Sequence, residues 1–244
     1  MTHAEDQTGD PSGQADHPLV RWRPWPCESC RGSSTALDFL VGSFGSIPEI
    51  PHADRNCQID WQKKWEAGRL LEWVQGCPHT QWAEIRLSRL DEGSEHLVLF
   101  DGATSEVVKI TRPGIYGDYY EIIENRIFQF DSTPAEYLLR MQWWEELFST
   151  APAPVGMTES GQIVSRQKFI QGDPPTQAAV DDFLASAELV AVRKACWLWK
   201  KVNAGWPVEV WIGDARSDNF VSAEGEIIPI DIRIWGVPIP ANSK

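Results

Sequence analysis

The segment VEVWIGDARSDNFVSAEGEIIPIDIRIW, residues 208–235, decides how the chain is read. Val208 to Ile212 is an apolar run of strand length, Gly213 to Asn219 is a polar loop, Phe220-Val221 restarts a strand, Glu224-Gly225 turns it, and Ile227 to Ile234 closes the pattern. Such a strand, loop and hairpin carry three polar groups on short supports. Asp214 and Asn219 frame the loop five positions apart, and Asp231 follows twelve beyond Asn219 across one hairpin. Asp231 sits between Ile230 and Ile232, a poor place for a lone carboxylate, and a divalent cation would justify it.

Upstream, the hydrophobic period changes twice. Ile59, Trp61, Trp65, Leu70, Leu71 and Trp73 recur at helical spacing between Asn56 and Gly76, which predicts an amphipathic helix. Trp82 to Leu90 alternates, Leu97 to Phe100 and Glu106 to Thr111 are short apolar runs, and Asp101-Gly102 marks a hairpin, so three consecutive antiparallel strands are expected. Lys109 falls mid-strand in Val107-Val108-Lys109-Ile110, where burying it unpaired would cost several kcal/mol. Thr133-Pro134-Ala135-Glu136 opens a second helix, with a capping hydroxyl, a proline for the first turn and an acid at the positive end of the dipole. Gln162 to Ile170 reads as a strand, and Thr176 to about Val202 as a long helix in which Cys196 packs into the core.

Composition limits the function. Among 244 residues the formal net charge is −13, which argues against binding nucleic acid by phosphate neutralisation. No run approaches eighteen apolar residues, and Met1 to Asp16 has neither a basic nor an apolar leader region, so no membrane partner and a cytoplasmic location are expected. Five cysteines favour reduced thiols over a disulfide framework. Cys27-x2-Cys30 is a half-site for zinc at best, since Cys57, Cys77 and His79 stand at irregular spacing. No His lies beyond His96, which removes His-dependent hydrolase arrangements from the C-terminal half.

The pattern is specific enough to resemble a known family. Val-Val-Lys-Ile resembles the protein-kinase strand whose lysine pairs with a helix glutamate, and Asp-Ala-Arg-Ser-Asp-Asn resembles the kinase catalytic loop. More narrowly, EHLVLFDGATSEVVKITRPGIYG, TPAEYLLR, FIQGDPPT, GDARSDNFV and PIDIRIW are similar to the kinase-like domain of polyvalent proteins, a family associated with phages and mobile elements, over about Gly93 to Trp235. The resemblance implies ATP and Mg²⁺ as cofactors. It implies Lys109 on the nucleotide phosphates, Glu136 as its ion-pair partner, Asp214 as the base or hydroxyl-orienting carboxylate, and Asn219 with Asp231 on the metal. The chain departs from the kinase pattern where a Gly-rich lid would lie, with Asp91-Glu92-Gly93-Ser94-Glu95, whose acids would repel a triphosphate.

The expectation is an α+β protein with a reduced two-lobed protein-kinase-like fold, a small antiparallel sheet lobe and a truncated helical lobe. Residues 1–20 would be a disordered tail, 21–80 an irregular and helical extension packed on the core, 81–170 the N-lobe and 171–244 the reduced C-lobe. The expected reaction is ATP- and Mg²⁺-dependent phosphoryl transfer to a hydroxyl-bearing acceptor, protein or small molecule. The alternatives are a catalytically degenerate kinase fold acting as a binding module and a small-molecule phosphotransferase of the aminoglycoside type.

Overall fold

In the computed structural model the described residues are 18–26, 36, 38–40, 54–77, 81–124, 126–193, 196–201 and 208–238. Cys27 and Cys30 lie outside them. The class is α+β, as the change of period along the chain requires. A seven-stranded sheet has the order β2-β1-β8-β9-β5-β4-β3, built from β1 (Leu19–Pro24), β2 (Ala83–Arg86), β3 (Ser88–Glu92), β4 (His96–Asp101), β5 (Glu106–Thr111), β8 (Ala153–Thr158) and β9 (Ile163–Lys168), with every pairing antiparallel. Between β5 and β8 run the hairpin β6 (Asp118–Ile123) and β7 (Arg126–Asp131) and the helix α2 (Pro134–Phe148). Helix α1 (Arg55–Gly76) precedes β2, and no described helix is long and apolar enough to cross a membrane.

The register of β4 and β5 separates two environments. Val98 opposes Lys109, Leu99 opposes Val108 and Leu97 opposes Ile110. Alternation therefore sends Leu99, Val108, Ile110 and Val164 into one cluster with Val20 and Leu87, while Val98 and Lys109 face the other way. On that second face, α2 and α1 cover part of the sheet through Tyr137, Leu138, Met141, Leu70 and Val74. The rest of that face stays open as the roof of a cleft.

The remaining chain forms the other wall. A helix, α3 (Gln177–Ser186), leads into a four-stranded antiparallel sheet of order β10-β11-β12-β15, with β10 (Leu189–Arg193), β11 (Leu198–Lys201), β12 (Val208–Gly213) and β15 (Arg233–Pro238). A small hairpin, β13 (Phe220–Ala223) and β14 (Glu226–Pro229), lies between β12 and β15. The sheet is covered on both faces, which explains the near-continuous apolar run at 208–212. Val210, Ile212 and Ile234 pack with Val180 and Leu184 of α3, and Trp211 and Trp235 pack with Tyr119, Tyr120 and Ile127 of the β6–β7 hairpin. Helix α2 belongs to both cores, with Tyr137 and Met141 in one and Trp144 in the other.

Four expectations are corrected. The long helix over Thr176–Val202 stops at Ser186, because Glu188 takes a left-handed φ of 63° and the following residues alternate as a strand, with Leu189 and Ala191 toward α3 and Val192 toward the opposite face. The truncated helical lobe is thus mainly sheet, and Cys196, at the turn before β11, is exposed rather than packed. Residues 19–24, expected as the end of a tail and the start of an irregular segment, are a strand held between β2 and β8. The β6–β7 hairpin and the β10–β11 pair were not anticipated.

Candidate functional site

A cavity of about 650 Å³ opens between the two sheets, and Lys109, Asp214, Asn219 and Asp231 all line it. The apolar flanks of β5 fix Lys109: with Val108 and Ile110 turned into the core, its side chain must enter the cleft, where it is 8% exposed. Its ammonium donates to the Ile230 carbonyl at 2.6 Å and to Asp231 Oδ1 at 3.3 Å. Asp231 remains accessible, its side chain 59% exposed, so the pair meets at the surface of the cavity rather than beneath it. Partial desolvation by the cleft walls raises the Asp231 carboxyl, but the Lys109 charge, with Arg140 farther off, outweighs that and holds it below the ordinary carboxylate value.

The polar loop is braced from three sides. Asp214 adopts φ 56°, a left-handed conformation that Asp tolerates better than most residues. Its carbonyl accepts from Arg216 N at 2.8 Å and from Asn219 Nδ2 at 2.8 Å. The Asn219 carbonyl in turn accepts from the backbone of Ile230 at 2.9 Å and of Asp231 at 3.3 Å, tying loop to hairpin. From α3, Gln177 donates to the Ala215 carbonyl at 3.0 Å and accepts from Ser217 N at 3.1 Å. With the Asn219 nitrogen committed to the loop, its amide oxygen is the group left for a cation. Asp214 Oδ1 accepts from Arg216 Nε at 2.9 Å, and Arg216 also reaches Asp218 at 3.4 Å, which puts a second cation at the cavity wall.

Glu136 is not part of this assembly. It occupies the third position of α2 and closes a capping box, its carboxylate accepting from Thr133 N at 2.8 Å while the Thr133 hydroxyl accepts from Glu136 N at 3.3 Å. Burial pushes its carboxyl up. The α2 residue beside Lys109 is instead Trp144, whose ring centroid is 6.0 Å from the ammonium. Eight positions separate Glu136 from Trp144, about 12 Å of helix rise, so the expected Lys109–Glu136 ion pair is not formed.

The charge that α2 does bring close behind the cleft wall was missed. Arg140, 5% exposed, forms a two-pronged pair with Glu95, Nη1 to Oε2 at 3.2 Å and Nη2 to Oε1. Next to it His96 Nε2 meets the Tyr137 hydroxyl at 3.1 Å. Burial, with Lys109 and Arg140 nearby, pushes His96 down to about 4, so its ring is neutral at pH 7. Burial also raises the Tyr137 hydroxyl to about 12. One signal was available: Arg140 stands three after Tyr137 and four before Trp144, a single charge on an apolar helical stripe.

Two of the three acids of the β3–β4 turn are also not free to repel an anion as the sequence implied, while Asp91, at the cavity wall, keeps its charge. Glu92 is paired with both Arg89 and Arg112, Glu95 with Arg140, and the Asp91 carboxylate accepts from Glu92 N at 2.7 Å. Among the described residues no group of three or more His, Cys, Asp or Glu stands ready to hold a metal by itself. Asn219 and Asp231 offer hard oxygen donors of the kind Mg²⁺ takes when substrate phosphates and water complete its shell. No family model matches the chain, and no curated protein or solved structure matches it.

Proposed function

We propose that this protein is a kinase-like phosphotransferase, taking ATP with Mg²⁺ and passing a phosphoryl group to a hydroxyl-bearing acceptor. The observation that carries the reading is the 3.3 Å contact between Lys109 and Asp231, 122 positions apart in sequence, at the wall of a cavity that also receives Asp214 and Asn219. The two sheets are then the two lobes of a reduced kinase-like fold, and Val98, Val107 and Val221 offer apolar surface at the cleft for a planar base.

In this mechanism Lys109 exchanges its contact with Asp231 for the nucleotide phosphates, and Arg216 meets charge that develops on the transferred group. Asp214, held by Arg216 through one oxygen, keeps the other to orient the acceptor hydroxyl and receive its proton. Asn219 and Asp231 would hold Mg²⁺, whose chemistry is to neutralise phosphate charge and fix its geometry. The braced loop holds these groups before substrate arrives, so positioning supplies much of the rate.

A second reading, a degenerate fold that only binds a partner, is favoured by the 2.6 Å bond from Lys109 to the Ile230 carbonyl, which occupies the amine that should meet phosphate. Calorimetric titration with ATP, with and without Mg²⁺, separates the two, followed by labelled-phosphate transfer onto sugars, aminoglycosides and proteins. The phosphotransferase reading expects Mg²⁺-dependent ATP binding and a fall in turnover of at least a hundredfold in Asp214→Asn. Absence of binding at millimolar ATP leaves the binding module; full activity in Asp214→Asn removes the assigned mechanism.

A further inference from the structure

Three acidic side chains line the turn over the cleft; Glu92 and Glu95 are each held by arginine, while Asp91 keeps its charge. We propose that Arg140 is the positioning residue that makes this roof receptive to a polyphosphate, by locking the Glu95 carboxylate in a fixed two-pronged ion pair at the cavity wall. The proposal rests on reading the cavity as a phosphate-handling cleft.

Glu95 lines the cavity and keeps 17% of its side chain exposed, so its charge faces whatever the cavity holds. Arg140 lies behind it, 5% exposed, and reaches both carboxylate oxygens. The Tyr137 ring packs 4.8 Å from the guanidinium centre and restricts its movement. On the side away from the cavity the chain closes against the pair at Gly117, with φ 85°. A Cβ there would stand 2.7 Å from Arg140 Nη1 and 3.0 Å from Glu95 Oε2. The pair is thus walled in on one side and open to the cavity on the other.

A pair of this kind is a poor device for stability alone. Desolvating both ions offsets most of their attraction, and apolar residues of similar size would serve the core as well or better. Its presence beside a cavity that also holds Lys109 and Arg216 fits a requirement on charge. Without Arg140, the Glu95 carboxylate would oppose every phosphate brought to Lys109. With it, a cation stands behind the acid and adds to the field of Lys109. The neighbouring acid follows the same arrangement, Glu92 being held by Arg89 and Arg112.

Isothermal titration with inorganic tripolyphosphate tests this without the base or the transfer step, and circular dichroism on each variant checks folding. Wild type is expected to bind the probe, Arg140→Met to bind at least tenfold more weakly, and Arg140→Met/Glu95→Gln to return to within threefold of wild type. Glu95→Gln alone is expected to bind at least as tightly as wild type, because it removes the acid and leaves the cation. A clamp needed only for structure would instead weaken binding in every variant. If Arg140→Met does not fold, Glu95→Gln and the double variant decide. The proposal is overturned by no binding to wild type, by unchanged binding in Arg140→Met, by tenfold weaker binding in Glu95→Gln, or by a folded double variant without recovery. Binding that follows the expected pattern with no phosphoryl transfer to any acceptor removes the enzymatic reading and leaves this one standing.

Discussion

Replacing Lys109 by Met, and Glu136 by Ala in a separate protein, discriminates between the charge pairing that the sequence suggests and the one that the fold contains. Met keeps most of the buried stem of Lys109, so the loss is mainly the donor to the Ile230 carbonyl at 2.6 Å and the 3.3 Å contact to Asp231. Hydrogen bonds from charged groups contribute about 1.5–3 kcal/mol, and Asp231, 59% exposed at its side chain, stays hydrated after the change. Lys109→Met should therefore cost about 2 kcal/mol of stability. A unit charge about 4 Å from a phosphate oxygen near a protein surface is worth about 4 kcal/mol. The amine must first leave Asp231 and Ile230, which offsets roughly half of that. The remaining ~2 kcal/mol corresponds to about thirtyfold weaker Mg·ATP binding.

Glu136→Ala should behave in the opposite sense. It removes one side of the capping box at the start of α2, a cost of about 1 kcal/mol, and leaves nucleotide affinity within twofold of wild type. Chemical denaturation followed by circular dichroism gives the first quantity and isothermal titration the second. The site assignment is refuted if Lys109→Met binds Mg·ATP within threefold of wild type, or if Glu136→Ala loses tenfold.

Two further perturbations probe the buried side of the cleft and its frame. Because the folded state holds His96 near 4 against an ordinary 6.5, the unfolded chain takes up a proton that the folded one refuses as pH falls between those values, and stability drops by up to about 3 kcal/mol on that account; denaturation midpoints should fall between pH 6.5 and 4.5 in wild type and stay flatter in His96→Gln, and equal slopes in the two would refute the assignment. Gly172→Ala should lower stability by about 2 kcal/mol, because a Cβ there overlaps the Ser222 carbonyl and the Val221 side chain, whereas Gly68→Ala, in open space on α1, should raise it by about 0.5–1 kcal/mol; thermal unfolding that ranks the two the other way would contradict the packing.

What the sequence disclosed and what it concealed divide along the range of the interactions. Strands β4, β5 and β9 and helix α1 carry their own period, and Thr133-Pro134 announces α2 by local chemistry, so all were readable, whereas the alternation over Trp82–Leu90, expected as one strand, breaks at Leu87 into β2 and β3 on opposite edges of the sheet. Strand β1 is half Arg and Pro, and it is a strand only because β2 and β8 flank it. The stretch at 189–193 has apolar residues that fit a helical stripe equally well, and a single left-handed residue at Glu188 turns it into a strand. At the site, Asp214, Asn219 and Asp231 were legible because one loop and one hairpin carry them. The Glu95–Arg140 pair spans 45 positions and depends on which face α2 presents, which no local pattern states.

Glu136 failed for a more instructive reason. The family resemblance gave the carboxylate to Lys109, far off in sequence, while local chemistry gave it to the helix start, and the capping box won because both of its partners are within three residues. The outcome changes how the cleft can work. Were Lys109 paired with α2, meeting a phosphate would loosen the helix from the sheet. Here α2 is fastened to the sheet by Arg140 on Glu95 and Tyr137 on His96, neither of which involves Lys109. On the phosphotransferase reading the amine can therefore trade Asp231 for phosphate while the helix, both cores that it joins and the roof of the cleft stay in place. Binding would then be met by a preorganised site, with reorganisation confined to one lysine and one accessible carboxylate.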